Sequence, residues 1–364
     1  MIYKSLVRPL LFKMEAEKAH ETILGTGKFA SGNTLLKSLG KNIYNYQSSR
    51  LEQRIWGLHF RNPIGLAAGF DKNGELAELI EALGFGFSEV GSITANPSTG
   101  NPRPRTFRLK KDRSLINRMG LNNDGAQTVV KRLENTDVDI PLGVNIAKTN
   151  DRSITGDQAI EDYLFSFREA RRVADYITVN ISCPNSEDGR TFEDPGALDE
   201  LLAALKLKED ASTVPTLVKF SVDLDRFELE RLLDICDRHR VNGFVATNTS
   251  SKREGLLTDP DRLNEIGAGG LSGRAISIKS TKIIKWIHEM TSGQKPIIGV
   301  GGIDSFESAL EKLQVGADLL QIYTGLIYEG PGLVKKINRA LNSFLEQEEI
   351  QSIHQLMKET EPII

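Results

Sequence analysis

Tyr176-Ile177-Thr178-Val179-Asn180-Ile181-Ser182-Cys183-Pro184-Asn185 passes from a β-branched apolar run into a polar turn with a thiol between two amides. A run that short, apolar on nearly every residue, reads as a strand buried on both faces, as in a parallel sheet. Seven more runs share that character: Pro63–Ala68, Phe87–Ile93, Leu142–Ala147, Thr216–Ser221, Gly243–Thr249, Pro296–Val300 and Leu319–Thr324. Amphipathic segments lie between most of them, among them Glu75–Ala82, Leu198–Leu207, Phe227–His239, Ile278–Met290 and Ser305–Gln314. Eight strand–helix units predict an α/β (β/α)8 TIM barrel, whose typical size is roughly 250 residues. A doubly wound sheet is the alternative, but it would gather polar groups at one crevice.

Here every strand end is polar or glycine-rich. In order they present Gly69-Phe70-Asp71-Lys72, Ser92 with Thr94, Asn145, Asn180 with Cys183, Lys219, Asn248 with Thr249, Gly301-Gly302, and Tyr323-Thr324. A barrel brings such ends to one mouth, where its active site sits. A lone Cys in a turn also fits a buried structural thiol, so the weight falls on the company Cys183 keeps.

Composition narrows the function. The chain has 364 residues and a formal net charge of −3, which gives no signal for nucleic acid. Two Cys cannot build a disulfide framework, and five scattered His lack ligand spacing, so no metal is expected. No apolar stretch approaches the ~18 residues of a membrane span. Residues 1–50 stand apart as a helical extension. Ile2, Leu6, Leu10 and Leu11 share a face with Lys4, Arg8 and Lys13 nearby, and Glu15–Thr22 reads as a second helix. Such a basic amphipathic segment suits a membrane surface, though it could equally cap the barrel or meet a neighbour. Ser31 to Ser49 reads as a connection, 51–340 as the barrel and 341–364 as a charged tail. Two long excursions, Asn96 to Gly125 and Ser250 to Gly273, have a length that is usually functional or disordered, and the first, too apolar and arginine-rich for a linker, is expected to belong to the site.

Several residues carry specific chemistry. The glycines of strands seven and eight, with Gly273, admit an anion to the backbone and predict a phosphate-bearing ligand. Lys219, near the end of an apolar strand, needs an anionic partner, which a reduced flavin would supply. Its bland partner is Asp223. Lys72 could hold a substrate carboxylate or face solvent. Asn117, Asn122, Asn185 and Asn248 could grip a ring bearing both donors and acceptors, since an amide offers both.

Ala67-Ala68-Gly69-Phe70-Asp71-Lys72-Asn73-Gly74, Asn117-Arg118-Met119-Gly120, the Asn180–Asn185 turn, Ala246-Thr247-Asn248-Thr249 and Gly299-Val300-Gly301-Gly302-Ile303 together resemble the dihydroorotate dehydrogenases, in the right order over residues 1 to 340. Glu17-Lys18-Ala19-His20 resembles the membrane-associated, quinone-using class 2 members. The resemblance implies FMN held by Ala68, Gly69, Phe70, Asp71, Lys72, Ser92, Asn145, Asn180, Lys219 and Thr247, with its phosphate near Gly273, Gly302, Tyr323 and Thr324. It implies dihydroorotate or orotate against Lys72, Asn117, Arg118, Met119, Gly120, Leu121, Asn185, Asn248 and Thr249. Cys183 would be the base, and His20, Arg108 and Tyr323 would line the quinone path. The implied location is peripheral, on the cytoplasmic side of the cell membrane, with no nucleic acid and no metal. Class 2 members usually have serine and phenylalanine where this chain has Cys183 and Leu121, which resemble soluble class 1 members using fumarate or NAD. A flavin barrel of the dihydrouridine synthase type, and a non-catalytic phosphate-binding barrel, are the remaining readings.

Overall fold

The computed structural model describes residues 2–182, 192–207 and 214–359. Eight parallel strands close into a barrel in sequence order: β1 Ile64–Leu66, β2 Phe87–Ile93, β3 Leu142–Ile146, β4 Tyr176–Asn180, β5 Thr216–Phe220, β6 Gly243–Ala246, β7 Ile297–Val300 and β8 Leu319–Ile322. The apolar runs of the sequence are these strands because each is covered on both sides. Outward residues such as Val144, Ile177 and Val218 meet the helix layer, and all three are fully buried.

The inward residues change character along the barrel axis. At the closed end Phe60, Phe87, Tyr176, Leu217, Ile298 and Leu319 fill the lumen. Phe60 belongs to a hairpin, Gln53–Ile55 with Leu58–Phe60, that plugs this end. Gly143 has no side chain because a Cβ there would lie 2.1 Å from the Tyr176 ring. Two residues further along four neighbouring strands, β2 to β5, the lumen turns polar, with Glu89, Asn145, Thr178 and Lys219. The alternation of the strand therefore builds an apolar plug beneath a polar floor.

The two excursions pair with each other. Thr106–Leu109 and Ser114–Asn117 form a hairpin, and Gly270–Gly273 adds to it antiparallel, with Gly270 opposite Asn117 and Gly273 opposite Ser114. This three-stranded sheet stands beside the mouth and carries Asn117 and Gly273 to it.

The termini hold more structure than their composition suggests. The helix expected over Glu15–Thr22 runs Ala16–Ser31, started by the Glu15 carboxylate accepting from the Glu17 and Lys18 amides. The stretch from Ser31 to Ser49, expected to be a connection, contains a helix at Thr34–Tyr44. Asn33, which reads as a breaker, is its N-cap and accepts from Leu35 and Leu36. The boundary expected at 340/341 falls inside the helix Leu333–Gln347, and Leu341, Leu345, Ile350, Ile353 and Leu356 are all buried. Its charged residues mark one face of packed helices rather than a loose tail.

Candidate active site

One cavity occupies the barrel mouth. Of the residues singled out from sequence, Ala68, Gly69, Lys72, Ser92, Asn117, Met119, Gly120, Leu121, Asn180, Lys219, Thr247, Asn248, Thr249, Gly273, Gly302, Tyr323 and Thr324 line it. Cys183 and Asn185 lie outside the described residues.

Amides and hydroxyls form a continuous chain around one side. Glu89 Oε1 accepts from Asn145 Nδ2 at 2.8 Å, and Asn145 Oδ1 accepts from Ser92 Oγ. Ser92 Oγ accepts in turn from Asn180 Nδ2 at 3.2 Å, and Asn180 Oδ1 accepts from Asn248 Nδ2 at 3.2 Å. Each amide is thereby fixed in orientation by its neighbour, so the groups left facing the cavity are set before anything binds. Lys219 stands on the floor, 6 % exposed. Burial lowers its pKa, and the Glu89 carboxylate works against that loss.

Four expectations need correction. Arg118 does not face the cavity: its guanidinium lies over the Phe107 ring and donates to the carbonyls of Ile266, Ala268 and Pro104. The geometry suits a cation that must satisfy several donors, and carbonyls of both excursions supply the acceptors. Asp71 is buried and accepts from the Glu75 and Leu76 amides, so it shapes the turn that presents Lys72. Asn145 sits one layer below the cavity, spent on Glu89 and Ser92. Phe70 turns to the far side of the wall, edge-on to Tyr323 and His20. Sequence reasoning missed Glu89, Ser272 and Gln321. A carboxylate inside the apolar run of β2 was the available signal for the first.

A second, larger cavity of about 430 Å³ lies between the barrel and residues 2–44. Its lining is mainly apolar, with Val7, Leu11, Phe12, Ile23, Leu76 and Leu79, and it takes in His20, Arg108 and Tyr323. The Arg108 guanidinium is held by the Met14 carbonyl at 2.8 Å and by the Phe12 ring. His20 has its pKa pushed down to about 3, first by burial and then by the Lys72 charge, so its ring is neutral at physiological pH. Its Nε2 is buried without a partner. Lys72, Met119 and Tyr323 line both cavities and form the wall between them.

Two observations test whether a flavin nucleotide suits the mouth. Gln321 Oε1 is a buried acceptor without a partner on the cavity wall, as a site built for a ring N–H would leave it. Gly302, at φ 74°, lines the cavity with bare backbone in a conformation that a side chain would strain. Among the described residues no group of His, Cys, Asp and Glu is gathered that could hold a metal ion.

A parallel barrel with a polar, glycine-rimmed mouth, backed by an apolar side chamber, defines a (β/α)8 barrel enzyme site. The sequence profile of the dihydroorotate dehydrogenases matches residues 50–345. The chain is 44% identical over 350 residues to the dihydroorotate dehydrogenase (quinone) of Gloeobacter violaceus, covering 96% of this chain and 97% of that one. To the protein of the same name from Haloarcula marismortui it is 39% identical over 348 residues, covering 96% of each. Among solved structures, the DHODH of Eimeria tenella in complex with ferulenol superposes with a TM-score of 0.77 at 32% identity, covering 89% of this chain and 93% of that one. The ligand-free form gives 0.80 at 31% identity, covering 92% and 99%. The chain belongs to the dihydroorotate dehydrogenase family.

Proposed function

We propose that this chain oxidises (S)-dihydroorotate to orotate in pyrimidine (UMP) synthesis, with FMN at the barrel mouth and a membrane quinone as acceptor. The observation that carries the reading is the common wall of Lys72, Met119 and Tyr323 between a polar and an apolar cavity. A redox group on one side is then within reach of an apolar acceptor on the other, without passage through water.

Bound FMN supplies hydride acceptance from the substrate and electron release to the quinone. The chain supplies everything else. Gly273, Gly302 and Thr324 would hold the phosphate through backbone and hydroxyl, and Lys219 would place its ammonium at the pyrimidine edge of the ring. Gln321 Oε1 would take a ring N–H. Lys72 would hold the substrate carboxylate, while Asn117, Asn185, Asn248 and Thr249 bracket its ring. Cys183 Sγ, assigned from sequence, would remove a proton from one ring carbon as thiolate; its reference pKa of ~8.5 lies far below that of an alcohol. On the quinone side, His20 offers a neutral imidazole and Arg108 a fixed cation.

Residues 2–44 support a peripheral seat on the membrane. Ile2, Leu6 and Leu10 are each more than half exposed, as are Phe29, Leu35 and Leu39, and lysines and arginines stand between them. No helix among the described residues is long and apolar enough to cross a membrane. Class 1-like use of fumarate or NAD gains no comparable support, because the apolar chamber would then have no occupant.

The purified protein should be yellow, bleach with dihydroorotate, and recover colour faster with a short-chain quinone than with fumarate or NAD. A colourless protein, or a preference for fumarate, rejects the reading.

A further inference from the structure

Glu17 belongs to the N-terminal helix, yet its carboxylate serves the other side of the wall. It is 3 % exposed, and its partner Arg105 is 5 % exposed. Arg105 Nε donates to the two Glu17 oxygens at 3.0 and 3.1 Å, and Nη2 donates to Oε1 at 2.7 Å. The remaining nitrogen, Nη1, donates to the carbonyls of Thr99 at 2.7 Å, Asn101 at 2.9 Å and Met119 at 3.3 Å. One guanidinium thus ties together the excursion that carries Asn117, Met119, Gly120 and Leu121 into the mouth. The backbone is shaped for it: Gly100 stands at φ 76°, and a Cβ there would lie 2.5 Å from Arg105 Nη1. The Arg105 carbonyl also accepts from the Arg118 amide at 2.8 Å.

Charge runs the same way. Lys72 faces Asp71 on its own loop, Arg105 from the excursion, and Glu17 and His20 from the helix. Burial and then Arg105 hold its pKa down to about 8, while Glu17 and Asp71 oppose them. His20 is neutral and adds no charge.

We propose that Glu17 is a positioning residue for the dihydroorotate site, acting through Arg105 and Lys72, so that the N-terminal helix completes the substrate pocket as well as the acceptor chamber. The proposal rests on the substrate assignment made above for the barrel mouth. Without the Glu17 carboxylate, two cations face each other in a poorly hydrated interior. Either Lys72 gives up its proton at lower pH, or Arg105 swings away and releases three loop carbonyls. Both weaken the grip on an anionic ring.

The test compares FMN-loaded wild type, Glu17→Gln and Glu21→Gln. Glu21 is on the same helix and pairs at the surface with the exposed Arg103, whose guanidinium also reaches Glu17 Oε1 at 3.2 Å, so this variant controls both for helix docking and for disturbance of that outer bridge. Orotate affinity is read from the shift of the flavin absorbance across the neutral-to-alkaline range. Glu17→Gln should bind orotate about tenfold more weakly at neutral pH, within the usual range of coupling between sites. Its loss of binding on the alkaline side should also begin at lower pH than in wild type. Glu21→Gln should stay within about twofold, as an exposed pair predicts. Glu17→Asp is the second variant. It keeps the charge but shortens the reach, so affinity should fall while the alkaline onset stays in place. Wild-type affinity and pH profile in both Glu17 variants, whatever happens to quinone KM, overturn the proposal. Failure of the wild type itself to bind orotate would instead remove the substrate assignment.

Discussion

Glu89 Oε2 accepts a hydrogen bond from Gln321 Nε2 at 2.7 Å, joining β2 to β8 across residues 232 apart in the chain. The same oxygen accepts from Tyr176 Oη and Thr178 Oγ1, both at 3.2 Å. One carboxylate thus organises donors from three strands on the floor of the mouth. By accepting from Gln321 Nε2, it also leaves Gln321 Oε1 directed at the cavity wall.

Glu89→Leu should therefore be severely destabilising. It strands four donors and leaves Lys219 without its nearby anion. Loss of one partner from a buried charge cluster costs about 3–5 kcal/mol, and urea unfolding would measure it. A loss below about 1 kcal/mol, the scale of an ordinary surface change, would show the cluster to be incidental.

Replacing Cys183 by Ala should lower the rate of flavin bleaching by dihydroorotate about 10²- to 10⁴-fold, the usual worth of a positioned base. Flavin content should be unchanged. Replacement by Ser should recover activity only as pH rises, because an alcohol ionises far less readily than a thiol. Near-normal bleaching by the Ala variant would assign the base elsewhere.

Glu193 carries a carboxyl whose pKa is raised to about 7, mainly by burial, with Glu228 and Asp223 adding to it and the Ser221 amide opposing. Between about pH 4.5 and pH 7 the folded protein then binds more protons than the unfolded chain. Stability contributed by this group falls as pH rises through that window and stays low above it. Glu193→Gln, which can still accept from the Ser221 amide, should flatten the decline. Urea midpoints measured across the window would reveal an unchanged slope if the carboxyl is already ionised.

Leu35 and Leu39 are 81% and 54% exposed on the helix Thr34–Tyr44. Changing both to Asp should reduce co-sedimentation with anionic lipid vesicles and slow reduction of a long-chain quinone. Reduction of a water-soluble dye should be unaffected, since neither residue lines the barrel-mouth cavity or the apolar chamber. Equal binding to vesicles would place the membrane contact on another face.

The order of strand ends makes the mouth readable from the sequence. Gly69, Asn180, Lys219, Thr249 and Tyr323 each close an apolar run, and barrel closure alone brings such ends together. Gly273 and Gly302, which line the same mouth, were legible for the same reason. Glu17 was legible only as part of a family resemblance, because nothing in a helical repeat says which distant arginine its carboxylate will meet. Asp71 and Asn145 show the converse: each sits at a strand end of the right type, but hydrogen bonds turn one to its own turn and the other to the floor.

By itself the sequence determined the barrel, the helical extension, and which strand ends carry polar or glycine residues, since these follow from periodicity and composition over a few residues. Tertiary structure alone decided that the two excursions pair, that Lys72, Met119 and Tyr323 divide two cavities, and that Glu17 reaches Arg105. The reason is that a buried charge or amide takes its role from its partners, and here those partners come from strands and helices far away in the chain.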